Sequence, residues 1–217
     1  MLVLLGACTS RSEQASPPAG RPDPGAAGTA DTTAAPDAEW TFDSDALRGL
    51  PGGASVFSGD WAVEEQADAP SPPQVLCQRG EAEFTAIELT DAAYADVVIT
   101  ARIRPISGRE DQAAGVIFRV KDRDNYYIGR ANALEANVEF FKYRGGQRSD
   151  LAQGAAEVPV GVWQELRVEV RGERMQAFLN GRHVVEAADG DFTAGGVGLW
   201  TKADSASCFD TVEVNPS

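Results

Sequence analysis

The chain has 217 residues, 43% of them hydrophobic and 24% charged, which is an ordinary globular composition with room for one sandwich-sized domain and a tail. Its net charge of −14 repels phosphate backbones, which excludes nucleic acid as a general partner and leaves neutral glycans or cations compatible. One histidine, His183, and three widely spaced cysteines form no Cys/His cluster, so no zinc site is expected.

The first residues, Met1-Leu2-Val3-Leu4-Leu5, begin an apolar run far shorter than the ~20 residues that span a bilayer. Leu5-Gly6-Ala7-Cys8 resembles the bacterial lipobox. The resemblance implies that residues 1–7 are a signal-peptide remnant and that Cys8 carries a diacylglyceryl anchor. The positively charged start of a signal peptide is missing, so the beginning shown reads as truncated or mis-called. Thr9 rather than aspartate after the cysteine implies sorting to the outer membrane. From Thr9 to Glu39 the chain is dominated by Ala, Pro, Gly, Ser and Thr, with no aromatic residue and no Leu, Ile or Val. Such a stretch cannot offset its ordering entropy by burial. Residues 8–39 therefore read as a tether with a reach of about 30 Å.

Residues 40–217 read as one domain of strands and turns. Over Asp96–Arg104 the odd positions are apolar and most even ones polar, the period of a half-buried strand. Asp122-Arg123-Asp124-Asn125 separates two strands, Gly115–Val120 and Tyr126–Ala131, in hairpin fashion, and Gly145-Gly146 marks the next turn. Val162, Gln164, Leu166, Val168 and Val170 form a mostly apolar face backed by charged residues. Asn180-Gly181, between Met175–Leu179 and His183–Val185, is a strong hairpin signal, and Asp189-Gly190 and Gly195-Gly196 read as further turns. A dozen or so short strands without a long amphipathic helix imply an all-β, antiparallel two-sheet jelly roll. Trp40, Trp61 and Trp163 are expected in the core or covering sheet edges.

Several blocks resemble a bacterial concanavalin A-like family whose members are described as 3-keto-disaccharide hydrolase-domain or laminarinase-like proteins. They are Asp124-Asn125-Tyr126-Tyr127, Arg130 through Glu135, Gly161-Val162-Trp163 before Leu166-Arg167-Val168, Gly196 through Ser205, and Phe209-Asp210 before Val212. The resemblance implies the lectin/glucanase sandwich. One such fold hosts many functions, so activity has to be argued from residues.

On a strand, Glu135, Asn137 and Glu139 share a face with Phe141 and Tyr143, while Ala136, Val138 and Phe140 face the core. The glutamate Cα atoms would lie about 13 Å apart, a gap that two leaning side chains can close to the ~5 Å of a retaining glycosidase pair. The spacing resembles the Glu-x-Asp-x-Glu strand of laminarinase-type hydrolases, which implies Glu135 as nucleophile and Glu139 as acid/base. Asn137 replaces the central aspartate, and a neutral amide cannot raise the acid's pKa by repulsion. His183 is expected to be exposed and inert, leaving no histidine base for keto-sugar chemistry.

Sugar recognition needs aromatic platforms and planar polar groups. Arg119, Tyr127, Arg130, Asn132, Asn137, Phe141, Tyr143, Trp200 and Lys202 are the candidates, with a one-residue ambiguity in hairpin register. No cofactor is required; a structural calcium, as in relatives of the fold, would use Asp43 and Asp210. Cys77 and Cys208 sit in strand-like segments and, with Cys8 lipidated, invite a disulfide. The leading expectation is a membrane-tethered extracytoplasmic carbohydrate-binding domain. A glycoside hydrolase-like enzyme and an envelope protein-interaction lipoprotein are the alternatives.

Overall fold

The computed structural model describes Leu2 and residues 37–217; Cys8 and most of the expected tether lie outside the described residues. Among the described residues fifteen strands follow one another: β1 (Ala38–Trp40), β2 (Ser55–Ser58), β3 (Trp61–Glu65), β4 (Gln74–Gln78) and β5 (Ala82–Tyr94) come first. Then come β6 (Val97–Ser107), β7 (Ala113–Asp122), β8 (Asn125–Asn132), β9 (Asn137–Arg144) and β10 (Gln147–Ala155). The series closes with β11 (Gln164–Arg171), β12 (Arg174–Leu179), β13 (Arg182–Ala188), β14 (Gly195–Ala203) and β15 (Ala206–Pro216). Ala38 and Glu39, assigned to the tether by composition, belong to β1 and pair with Val214 and Glu213 of β15.

The strands form two antiparallel sheets. One has the order β13-β12-β11-β6-β15-β4-β3, with β1 added on β15; the other has the order β10-β9-β8-β7-β14-β5-β2. The core lies between them. Val97, Ile99, Ala101 and Ile103 alternate inward along β6, as their period dictates, and meet Val116, Phe118, Phe140 and Leu199 of the other sheet in one cluster. The sheets approach so closely at Gly129 that a Cβ there would lie 3.0 Å from both Phe140 Cε1 and Val168 Cγ2. Asn180 and Gly181 both hold positive φ, 51° and 77°, and so make the tight turn that joins β12 to β13.

Two expectations about local structure are corrected. Gly195 and Gly196 begin β14 rather than making a turn, because their bare backbone lies against β7 and β5 where a Cβ would collide. Val162 is 49% exposed in the loop before β11, so the inward face starts at Gln164. Trp163 is half-buried on the outer side of the first sheet, with the Arg104 guanidinium 5.7 Å above its ring. Trp61 is buried in the core, Trp40 packs at its margin, and His183 is exposed. Cys77 and Cys208 face each other directly across β4 and β15 and are joined by a disulfide.

One end of the sandwich is closed by two side chains expected at the ligand face. Arg119 adopts φ 49°, breaks the β7–β8 register and turns its guanidinium inward onto the carbonyls of Ala95, Gly172 and Phe192. Tyr127 points between the sheets, and its hydroxyl joins Asp189 Oδ1 (2.5 Å) while accepting the Phe192 N–H. Lys142 completes the closure with Nζ 2.6 Å from Asp189 Oδ2. Burial, with the hydrogen bond to Asp189, pushes the Tyr127 hydroxyl up to about 12. Arg119 and Tyr127 are therefore parts of the closure and do not line a ligand site.

Candidate functional site

The outer face of the second sheet carries a cluster of its own, separate from the core. Ala113, Ile117, Ile128, Phe141, Tyr126 and Trp200 are buried there, with Phe57, Phe84 and Tyr143 packed at their margin. The sheet is bowed outward-concave, so that Phe84 of β5 reaches Tyr143 of β9, centroid to centroid, at 5.5 Å. Small residues line the floor of this trough. Gly115 lies directly beneath Arg130, where a Cβ would come 2.6 Å from the arginine's own Cβ, and Trp200 separates it from Ala86 on β5. Large rings from distant strands fold into the space so left, Phe84 stacking on Trp200 at 5.8 Å.

At one end of the trough the face becomes polar. Register sets Arg130 of β8 opposite Glu139 of β9, and Asn132 opposite Asn137. Alternation then sends Arg130, Asn137 and Glu139 outward while Ala131 and Val138 enter the core. Arg130 Nη1 donates to Asn137 Oδ1, and its Nη2 lies 2.5 Å from Glu135 Oε2 and 2.8 Å from Glu139 Oε2. Ala136, with φ 50°, makes the turn that swings Glu135 back toward the arginine. Arg130 also lies 5.2 Å from the Phe141 ring centre. Only 2% of this arginine is exposed, so its charge is held by partners rather than by water.

The two glutamates respond oppositely. Burial would raise Glu135, but the charge and hydrogen bond of Arg130, with help from Asn137 and Lys202, hold it below the ordinary carboxylate range. Burial lifts Glu139 above that range, with the charges of Asp150 and Glu135 adding to the rise and Arg130 opposing it.

Beside this fork, Lys202 Nζ sits 2.8 Å from the buried Asp111 Oδ2, and Asn132 Nδ2 donates to Asp111 Oδ1. Asn132 Oδ1 accepts the N–H groups of Leu134 and Glu135, so this fully buried side chain builds the β8–β9 turn. Asp204 binds the three successive N–H groups of Arg109, Glu110 and Asp111 and pins the β6–β7 loop. Between that loop, Lys202 and the start of β5 opens a depression of about 660 Å³, bordered by Glu81, Glu83, Arg109 and Glu110. A smaller slot of about 210 Å³ lies along the trough, lined by Phe57, Phe84, Tyr126 and Tyr143. Ala82 and Glu83 border both. Arg148 of β10, 4.2 Å from the Phe141 ring centre and 5.2 Å from that of Phe84, crosses the trough.

The structure thus gathers Arg130, Glu135, Asn137, Glu139, Phe141, Tyr143, Trp200 and Lys202 on one face. Trp200 and Phe141 are at most 1% exposed and form its floor rather than an open platform. Sequence reasoning did not single out Phe84, Asp111, Tyr126 or Arg148. The alternation of Phe84 with Ala86 signals which face Phe84 occupies; nothing local signals the other three.

Asp43 and Asp210, the expected calcium ligands, do meet, through Ser71. However, Asp43 accepts the Ser71 hydroxyl and the Gln74 N–H, while Asp210 accepts the N–H groups of Ser71 and Thr211. All four oxygens face N–H or O–H donors, so this set does not fit a calcium ion.

Fold and face together define a concanavalin A-like β-sandwich with an outward concave site. The chain belongs to the 3-keto-alpha-glucoside-1,2-lyase-like domain family, a model of which matches residues 53–215. It is 28% identical over 138 residues to levanase of Bacillus subtilis (strain 168), a match that covers 62% of this chain and 20% of levanase. The chain therefore spans about a fifth of that relative's length. It is similar to the solved carbohydrate binding module CBM66 from Bacillus subtilis, with 26% identity and a TM-score of 0.66 over 75% of this chain and 95% of the module. A Bacillus subtilis protein of unknown function with a galectin-like fold shares the architecture at 13% identity and a TM-score of 0.60, covering 84% of this chain and 96% of that one.

Proposed function

We propose that this domain binds carbohydrate on its concave face, in the depression beside Lys202 and the Arg130 fork. The observation that carries the reading is an open hollow rimmed by Glu81, Glu83, Arg109, Glu110 and Lys202, on the same face as the buried Arg130 fork and the aromatic cluster. A depression of about 660 Å³ has the size of a small-ligand site, and its rim offers both donors and acceptors for hydroxyl groups. The likeness to a carbohydrate binding module supports the same conclusion.

A glycoside-cleaving role has one observation in its favour, the approach of Glu135 and Glu139 to a common point with pKa values moved in opposite directions. The common point is Arg130 Nη2, which fills the place a glycosidic bond would need, and this favours recognition over cleavage. The test is a glycan array on the full chain, followed by an assay of sugar release from each polymer that binds. Binding that weakens at least about tenfold in Lys202→Met, with no release, supports recognition. Release abolished by Glu139→Gln would establish a hydrolase instead.

The proposal includes a lipid anchor at Cys8 and residence at the outer membrane of a bacterial envelope. Support comes from Leu5-Gly6-Ala7-Cys8 and the composition of residues 9–39. Mass spectrometry of the membrane fraction tests it: a diacylglyceryl mass on Cys8 is expected, and recovery of unmodified Cys8 would overturn it.

A further inference from the structure

We propose that the slot formed by Phe57, Phe84, Tyr126 and Tyr143 is a second sugar subsite, so that the domain reads at least two linked units of a neutral oligosaccharide. This rests on the carbohydrate-binding reading and extends it along the trough.

The slot is built for a ring. Tyr126 is buried at its base, while Phe57, Phe84 and Tyr143 are half-exposed around it, with Tyr126 and Tyr143 4.9 Å apart and Phe57 and Tyr126 6.4 Å apart. Such faces carry partial negative charge and attract the C–H groups on the apolar side of a pyranose or furanose. At about 210 Å³ the slot has room for one unit, not a chain.

Its rim is polar and uncommitted. Among the described residues, the carboxylates of Glu83 and Asp124 take part in no ion pair and accept no hydrogen bond, although both border the slot. Burial, with the charges of Asp124 and Glu83, keeps the Tyr143 hydroxyl raised above its ordinary value, so it remains a donor at neutral pH. Acceptors and a donor thus surround an aromatic base, the pattern that hydroxylated rings require.

Charge selects a neutral occupant. The carboxylates of Glu83 and Asp124 are matched by the guanidinium of Arg123 at the rim and by that of Arg148 over Phe84. An organic cation, the other ligand that aromatic slots attract, meets two cations already in place. Continuity sets the length. Ala82 and Glu83 border both the slot and the larger depression, so the two hollows adjoin and linked units can occupy both.

The experiment is calorimetric titration of the full chain with unbranched fructo-, malto- and laminari-oligosaccharides of one to four units. In the series that binds, affinity rises at least about tenfold between one unit and the length that fills both sites. Tyr143→Ala returns the longer members to the affinity of the single unit. Asp124→Asn, an exposed change that spares the packing, produces a smaller loss in the same direction. Affinity independent of length, or variants that weaken every length equally, would overturn the second subsite and leave carbohydrate binding intact. No binding in any series would refute the carbohydrate reading and the subsite with it.

Discussion

Phe84 and Tyr143 touch across the trough, their centroids 5.5 Å apart, although three strands separate β5 from β9 in the sheet. On a flat sheet four strand spacings would hold them about 19 Å apart. Curvature and side chains leaning over the strands between make the contact, and the outer face of the sheet carries a second small core. If this face binds carbohydrate as proposed, substitutions there change stability as well as recognition.

Removing the arginine at its centre leaves two carboxylates close together. Arg130→Met is expected to cost about 3 kcal/mol at pH 7, because a buried charge loses its partner. Glu139 is already raised in the folded protein, and without Arg130 it rises further. A raised carboxylate costs stability as pH rises through its folded pKa and regains it on acidification. The deficit of the variant against wild type in urea unfolding should thus shrink between pH 7 and pH 5. An equal deficit at both would place the whole effect in packing.

Asp189 ties Tyr127 to Lys142 at the closed end. Burial works against its charge, but Lys142, the Tyr127 hydroxyl and the Asp191 N–H outweigh it and lower its pKa. A depressed carboxylate contributes stability above its unfolded pKa and loses it as pH falls through the folded value. Asp189→Asn should cost about 2 kcal/mol at pH 7, with the difference from wild type vanishing in strong acid. Denaturant midpoints at pH 7 and at successively lower pH measure this, and a gap that does not narrow on acidification would contradict it.

Between the sheets, Gly129→Ala introduces a methyl 3.0 Å from Phe140 and Val168. Overpacking of that degree costs about 1–3 kcal/mol, read as a lower urea midpoint with an unchanged slope. An unaltered midpoint would show that the two sheets separate there without strain.

Chelation provides a further check. Because Asp43 and Asp210 direct all their oxygens at N–H and O–H donors, EDTA should leave the thermal midpoint unchanged and added calcium should not raise it. A calcium-dependent rise of several degrees would identify a cation site at Ser71.

The two-residue period was sufficient to read the strands and to place Asn137, Glu139, Phe141 and Tyr143 on one face, since alternation is a local property. It failed where an irregularity reset the alternation. Arg119 has a positive φ that no neighbour announces, and the choice between Tyr126 and Tyr127 turns on one residue of register. The approach of Phe84 and Arg148 was hidden for a different reason. Their contact depends on how far a seven-stranded sheet bends, a sum over many small residues rather than a feature of either segment. Asp111 lies beyond any periodic segment and gains its role only from Lys202 and Asn132.

The first strand holds on by three residue pairs to β15, and β15 is stitched to β4 by the Cys77–Cys208 bond. A pull arriving from the N-terminal side reaches the domain at Ala38 and is borne first by that short strand. Its detachment would release about 10 Å of chain. The covalent link then stops β15 from following, so the other sheet feels none of the first yield. The arrangement amounts to a mechanical fuse ahead of a bolted frame: a short strand held by three residue pairs, backed by one held covalently.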